Sequence, residues 1–342
     1  MYIHDVSGHA RQGLGVSKIS KVLTKISSKL TDKVPSQVEI FLGNQGEDDV
    51  IKEYGGLHPA QELHDYTNGI GQKIAKSSSR PNMPYRFQVV NSTIPNAFAL
   101  PNAAISVTHG LLATMTNEAQ LGAVLAHEIG HIEGRHSLKE LEANLGTSLL
   151  AEGLAGSLAV IGGKKIDKGK AEAVGALVGG SKQLIDMGYS RQNETEADAL
   201  GLKGMVKAGY NPLGMVQVMQ MFQQMEGSGE KDIVSKYMSS HPAAKVRVEA
   251  AEAGVTKQFP EASTSLPFNE EQYYGIMSKY PISQEKQAEE VTGLRALSPS
   301  ALADKVSKAL SASYGGLGLG WWIVIGGTVV SGVLLWNSMR RE

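Results

Sequence analysis

Apolar and polar positions along this chain repeat at two different spacings, and each change of spacing marks a change of element. Tyr85–Val90 alternates as a strand with one buried face does, and Ile105-Ser106-Val107 repeats the pattern in miniature. The stretch PSQVEIFLG, starting at Pro35, predicts a further short strand. Leu63, Ile70 and Ile74 instead suggest a helix after Pro59 running towards Lys76, with Ser77–Pro84 as a loop behind it. Within NAFALPNA, Pro101 and Asn102 mark a second turn. Asn117 is placed to cap a long helix, and Gln120 to complete a capping box. That helix runs on through LGAVLAHEIGHIEGRH.

The remaining pattern is mainly helical. Residues 144–182 are rich in Gly, Ala and Leu and predict mobile or loosely packed helices. Leu149–Gly162 is short and interrupted by Glu152, so it is expected to pack beside the candidate site rather than cross a bilayer. Asn211–Pro212 opens a helix ending near Gly227, and His241–Pro242 opens one ending near Gly254. Residues 259–313 read as a connector with one or two short helices. Helices outnumber strands, so the expected class is α+β, mostly helical with a small sheet.

The C-terminus has a different character. From Leu317 to Trp336 there are 20 residues without a charge, bracketed by Trp321, Trp322 and Trp336 and followed by Arg340 and Arg341. A helix of that length spans about 30 Å, the hydrocarbon thickness of a bilayer. The pattern predicts a single-pass transmembrane helix over 314–337 and a basic tail over 338–342, in preference to a buried core helix. Residues 1–34 form a polar lead segment without an apolar run of signal-peptide length, and residues 35–258 the expected folded domain. The side of the membrane that this domain faces stays open, because Lys305 and Lys308 weight one flank and the two arginines the other.

Composition narrows the chemistry. A net charge of −1 gives no electrostatic case for nucleic acid, and 42% hydrophobic with 20% charged residues is ordinary for a globular chain. There is no cysteine, so a bound metal must be held by His, Asp or Glu.

His127-Glu128-Ile129-Gly130-His131 fits H-E-x-x-H. On a helix both imidazoles share one face and can bind one Zn²⁺, with Glu128 beside them as general base. His136 is one residue short of the third histidine in the metzincin pattern, where this chain has Ser137, so it is read as a supporting residue. Glu194 and Asp198 share a helix face. One would bind the metal and the other accept the free N–H of a ligand histidine; a solvated acidic face is the alternative.

HEIGHIEGRH followed by SRQNETEADALGL resembles the HtpX-like and BepA-like gluzincin metallopeptidases, relatives of the CAAX prenyl proteases. Asn96–Leu112 and Ser239–Glu249 match the same family's pattern, and the likeness covers residues 57–256. The resemblance implies a zincin-like domain with one zinc per chain, held by His127, His131 and Glu194. It makes Glu128 the catalytic proton carrier and sets Asp198 against a ligand histidine. Arg247 is implied to tie down the carboxylates, and His241 to be a latent fourth ligand or an oxyanion donor. Asn96, Ile105 and Val107 are expected to bind substrate, laid extended along an edge strand. One departure is Pro101-Asn102-Ala103, where relatives usually have Pro-Gly-Gly. The expected function is a membrane-anchored zinc endopeptidase acting on unfolded or misfolded polypeptides. The alternative is a latent peptidase that serves as a client-binding chaperone or assembly factor. A prenyl protease fits less well, because the sequence has one convincing span.

Overall fold

The computed structural model describes residues 31–32, 34–227, 241, 244–282, 322–325 and 328–331. They fall into two units, 1–287 and 288–342, taken here one at a time.

The first described helix corrects an expectation. PSQVEIFLG forms α1 (Ser36–Asn44), not a strand, with α2 (Glu47–Glu53) following. Val38 and Leu42 are both buried, and their spacing of four is helical. The β-branched Val38 and Ile40 suggested a strand, but tertiary burial overrides that weak preference.

Helix α3 (Gln61–Ala75) forms where Leu63, Ile70 and Ile74 share a buried face. It packs on β1 (Arg86–Val90), with Gly71 leaving room for the Phe87 ring. The sheet has three strands in the order β1-β3-β2, where β2 is Ala97–Ala99 and β3 is Ala104–Thr108. β1 runs parallel to β3, pairing Phe87 with Ile105 and Val89 with Val107; β2 runs antiparallel, pairing Ala97 with Val107. The central strand is therefore β3. Ile105 and Val107 are fully enclosed in the core, and Asn96 donates from Nδ2 to the Tyr54 hydroxyl at 2.8 Å. β3 is paired on both sides, and Asn96 is bonded to Tyr54 and Thr108, so none of the three offers a free edge to a substrate backbone, which corrects the expectation for them. The outer strands are β1 and β2, and β2 is the one that falls within the expected 97–107 stretch.

The turn that differs from the family pattern shows why glycine is usual there. Ala103 sits at φ 61°, the left-handed region that costs a side-chain-bearing residue about 1 kcal/mol. Asn102 holds the turn by donating to Asn44 Oδ1 at 2.8 Å and to Glu47 Oε2 at 2.6 Å.

After α4 (His109–Thr114) comes α5 (Glu118–Glu133). Asn117 Oδ1 accepts from the Gln120 backbone at 3.0 Å, and Gln120 Oε1 accepts from the Thr116 backbone at 2.7 Å. The cap thus forms with its return bond one residue earlier than the usual box. α5 is buried from Glu118 to Ile132, which explains its nearly continuous apolar sequence. α6 (His136–Leu145), α7 (Thr147–Ile161) and α8 (Lys168–Met187) follow, the last two forming a hairpin. α9 (Arg191–Lys207) returns to lie along α5, and α10 (Leu213–Gly227), α11 (Ala244–Gln258), α12 (Pro260–Ser265) and α13 (Glu270–Met277) complete the unit.

In the second unit, β4 (Trp322–Ile325) pairs antiparallel with β5 (Thr328–Ser331). The spanning helix expected over 314–337 is therefore not what the described residues of that segment form, and its remaining residues lie outside them. Ile323, Val324, Ile325, Thr328, Val329 and Val330 are all β-branched, and Gly326-Gly327 separates the two runs. That composition favours a hairpin over a helix. Among the described residues no helix is long and apolar enough to cross a membrane.

Candidate metal centre

The site depends on how closely α5 and α9 approach. A Cβ on Gly130 would lie 2.6 Å from the Ala197 carbonyl oxygen, and one on Gly201 would lie 2.9 Å from the His127 nitrogen. Only hydrogen fits at either point, so the helices meet backbone to backbone. On α5, His127 and His131 are one turn apart and both buried. On α9, Ser190 caps the helix, its hydroxyl accepting from Asn193, and the first turn carries Glu194. Close approach brings this carboxylate against the two rings.

His127 Nε2 and His131 Nε2 are 3.0 Å apart. Glu194 lies 3.6 Å from the first and 3.3 Å from the second. His241 Nδ1 stands 3.3 Å from His127 Nε2 and 3.1 Å from Glu194 Oε1. All four donors lie within 4.8 Å of one another and all four residues are buried. Donors held about 2.1 Å from a tetrahedral zinc are about 3.4 Å from each other. The observed edges cluster around that length. Lone pairs of nitrogen and oxygen converging on one point repel unless a cation lies between them, so the donor set fits zinc in number, type and spacing.

The neighbours bear on the protonation of these donors, and for His241 they act against burial, Glu194 and Glu128 raising the pKa of its imidazole. Asp198 Oδ1 lies 2.8 Å from His127 Nδ1, leaving Nε2 as the donor. Burial pushes the Asp198 carboxyl up, but Arg247 and the bond to His127 outweigh it, leaving the pKa at about 2. Arg247 reaches Asp198 through Nε and Nη2 at 2.7 Å each, and Glu194 Oε2 through Nη1 at 2.6 Å. Burial would also raise Glu194, yet His241 and His127 hold its carboxyl far below the usual range. Burial keeps His131 well below the usual histidine range, hence neutral as a ligand must be. His131 Nδ1 and His136 Nδ1 are 2.8 Å apart, and His136 Nε2 donates to Glu196 Oε2 at 3.3 Å. Burial lowers His136 to about 4, so it is neutral with its proton on Nε2. Its Nδ1 then accepts from His131, and Nε2 of His131 is left to face the cluster.

Glu128 is fully buried, and neither carboxylate oxygen has a hydrogen-bond partner among the described residues. Its closest charged neighbour is His241, with Nε2 3.6 Å from Oε1. Burial pushes the Glu128 carboxyl up, against the pull of His241 and His127. A buried carboxyl group without a hydrogen bond is costly and marks a group kept for a ligand or a proton.

The profile of peptidase family M48 matches residues 61–255, more than half of the chain. The chain belongs to peptidase family M48. Members are zinc-dependent metallopeptidases, in keeping with the donor set and with the motif resemblance. Over 154 residues the chain is 29% identical to the beta-barrel assembly-enhancing protease of Escherichia coli (strain K12), covering 45% of this chain and 31% of that protein. Over 231 residues it is 28% identical to the mitochondrial metalloendopeptidase OMA1 of Schizosaccharomyces pombe, covering 65% of this chain and 62% of that one. The metalloprotease LoiP of Escherichia coli (strain K12) is 25% identical over 190 residues, or 56% of this chain and 68% of LoiP. The chain thus spans under two thirds of the first two relatives.

The M48 site gathers every residue that sequence reasoning placed at the metal: His127, His131, Glu194, Glu128, Asp198, Arg247 and His241. Glu196, which was given no role, holds His136 and Lys139 instead. Tyr189 was missed. Its ring stacks on His131 with centroids 3.9 Å apart, and Ser137 lies 3.1 Å from its hydroxyl. Nothing in the sequence around Tyr189 signalled this beyond its place just before the Ser190 cap.

Proposed function

We propose that this protein is a zinc endopeptidase that cleaves unfolded or misfolded polypeptides. The observation that carries the reading is the meeting of four buried metal donors with tetrahedral spacing beside the buried carboxyl of Glu128, which makes no hydrogen bond among the described residues. His127, His131 and Glu194 are the ligands in this reading. A zinc held by these residues would supply Lewis-acid polarisation of the scissile carbonyl and a more acidic water.

Glu128 accepts the proton that the water loses on adding to the carbonyl, and delivers it to the leaving amine nitrogen. Its burial-raised pKa suits a carboxyl that must take and release a proton in one cycle. Asp198 and His136 keep His127 and His131 in the ligand tautomer, while Arg247 holds Asp198 and Glu194 together. β2, buried at Ala97–Ala99 but paired on one side only among the described strands, is in this reading the edge along which a substrate backbone extends. Backbone pairing is weakly selective for sequence, which suits unfolded substrates.

His241 supports a second reading. It stands beside His127 and Glu194, and in this second reading it would close the fourth position and keep the site latent; a latent peptidase can act as a client-binding chaperone or assembly factor. We place the protein at a membrane through its apolar run Leu317–Trp336, supported by the absence of charge and the flanking tryptophans.

The deciding experiment is Glu128→Gln. Casein hydrolysis should vanish while zinc content holds; cleavage at the parent rate would overturn the peptidase reading. Client binding retained by this variant, with no cleavage by the parent, would favour the chaperone reading.

A further inference from the structure

The end of the α7–α8 hairpin is built unlike the rest of the surface. Between Thr147 and Gly163 the sequence carries one charge, Glu152, whereas an outer helix in water ordinarily turns a charged face to solvent. The base of the hairpin is well anchored: Leu150, Leu154 and Leu177 pack with Val38, Leu42, Leu138 and Leu141. Gly156 then lets α8 come close, since a Cβ there would lie 2.9 Å from Val174 Cγ2. Past that point the packing stops. Leu158, Val160 and Ile161 are 45%, 38% and 43% exposed, half of the six large apolar residues that stand exposed among the described residues.

The turn that follows is Gly162-Gly163, and then Lys164 and Lys165, both exposed. No acidic residue falls between Leu158 and Ile166. The next lysines, Lys168 and Lys170, stand beside Glu172 and Asp167 respectively. Large apolar side chains followed directly by two lysines that make no ion pair among the described residues, with Asp167 and Glu172 turned to Lys170 and Lys168, are thus presented at the hairpin's end.

We propose that this end is a docking surface for an anionic lipid bilayer. Leu158, Val160 and Ile161 enter the boundary between headgroups and acyl chains, and Lys164 and Lys165 lie among the phosphates. The charge decides between occupants: a second copy would set lysines against lysines, whereas an anionic headgroup layer pairs with them. The depth agrees as well. From Leu158 to Ile161 the helix rises about 5 Å, the shallow end of the depth to which interfacial helices sink. Insertion of this kind needs no spanning helix. α6, which leads from the site into the hairpin, begins at His136, and the chain returns to the site at Tyr189 just after α8; their rings lie 4.9 Å and 3.9 Å from that of His131. Docking therefore tethers the metal centre to the bilayer through two adjoining contacts, whether or not the site cleaves peptides.

The chain has no cysteine, so one label can be placed at will. Full-length Ile161→Cys carrying a nitrobenzoxadiazole dye is mixed with vesicles of phosphatidylcholine alone or with added phosphatidylserine. Emission should shift to the blue only on the anionic vesicles, and the apparent affinity should fall about fivefold per lysine in Lys164→Gln and Lys165→Gln. A label on the exposed Lys257, carried as Lys257→Cys, should stay unshifted. Attachment through residues 317–336 alone would leave the dye at 161 unshifted on bound protein, overturning the proposal. A shift that grows with protein concentration, or appears with unfolded casein, in the absence of lipid would overturn it in favour of a second copy or a polypeptide.

Discussion

Gly130→Ala adds one methyl group where α5 and α9 touch, and its effect can be worked from the contact distances. The new Cβ would lie 2.6 Å from the Ala197 carbonyl oxygen and 2.9 Å from Ala197 Cα. A relaxed carbon–oxygen contact is about 3.4 Å, so the helices must part by roughly 0.8 Å. Metal–ligand distances tolerate only about 0.2 Å. Glu194 lies one turn before Ala197 on α9, so the displacement is transmitted almost undiminished to a ligand. Overpacking of this kind costs about 1–3 kcal/mol of stability. The metal affinity should fall further, by about 10–100-fold, as it does when a ligand's support is lost. Zinc competition against a fluorescent chelator, together with thermal unfolding with and without excess zinc, measures both effects. Gly175→Ala on α8 is the control: its Cβ meets nothing within 4 Å, and alanine is the better helix former, so neither quantity should fall. If Gly130→Ala bound zinc as tightly as the parent, the argument that backbone contact sets the ligand geometry would be wrong.

Other substitutions test the site more directly. His131→Ala or Glu194→Ala should each lose the zinc, whereas Glu196→Ala should retain most of it; the reverse pattern for the two glutamates would move the ligand by two residues. His241→Ala should raise casein turnover with zinc content little changed, because it opens the fourth position; a fall in kcat of roughly 10²–10³ would instead make His241 an oxyanion donor. His136→Phe keeps the ring volume but removes the acceptor for His131, and zinc affinity measured by chelator competition should drop about 10–100-fold. Deleting residues 314–342 should yield a protein that stays in the supernatant after centrifugation with its zinc intact; loss of metal would make that segment part of the catalytic unit.

Much of the metal centre was legible in the chain because its parts obey local rules. His127 and His131 are ligands one turn apart, and helical periodicity alone puts them on one face. Glu194 and Asp198 follow the same rule on another helix, and Asn117 capped its helix as its position foretold. Spacing could not say which carboxylate faces the metal, since that depends on how α9 lies against α5. The family likeness supplied an answer, and the backbone contact at Gly130 and Gly201 supplies the physical reason for it. Local pattern also misled in three places. Val38 and Ile40 looked strand-like, but burial of Val38 together with Leu42, four residues on, makes the segment helical. Ile105 and Val107 lie on a strand as expected, but order within a sheet is a long-range property, and β3 turned out to be central with β2 at the edge. The apolar run after Leu317 had the length of a spanning helix, yet its β-branched residues flank a Gly-Gly pair and its described residues form two strands. By itself, then, the sequence determined the chemistry that helices carry along their own faces. The tertiary structure alone decided which faces meet, because the contacts that bring Glu194, His241 and Tyr189 to His131 join residues tens of positions apart, whose closure no local spacing encodes.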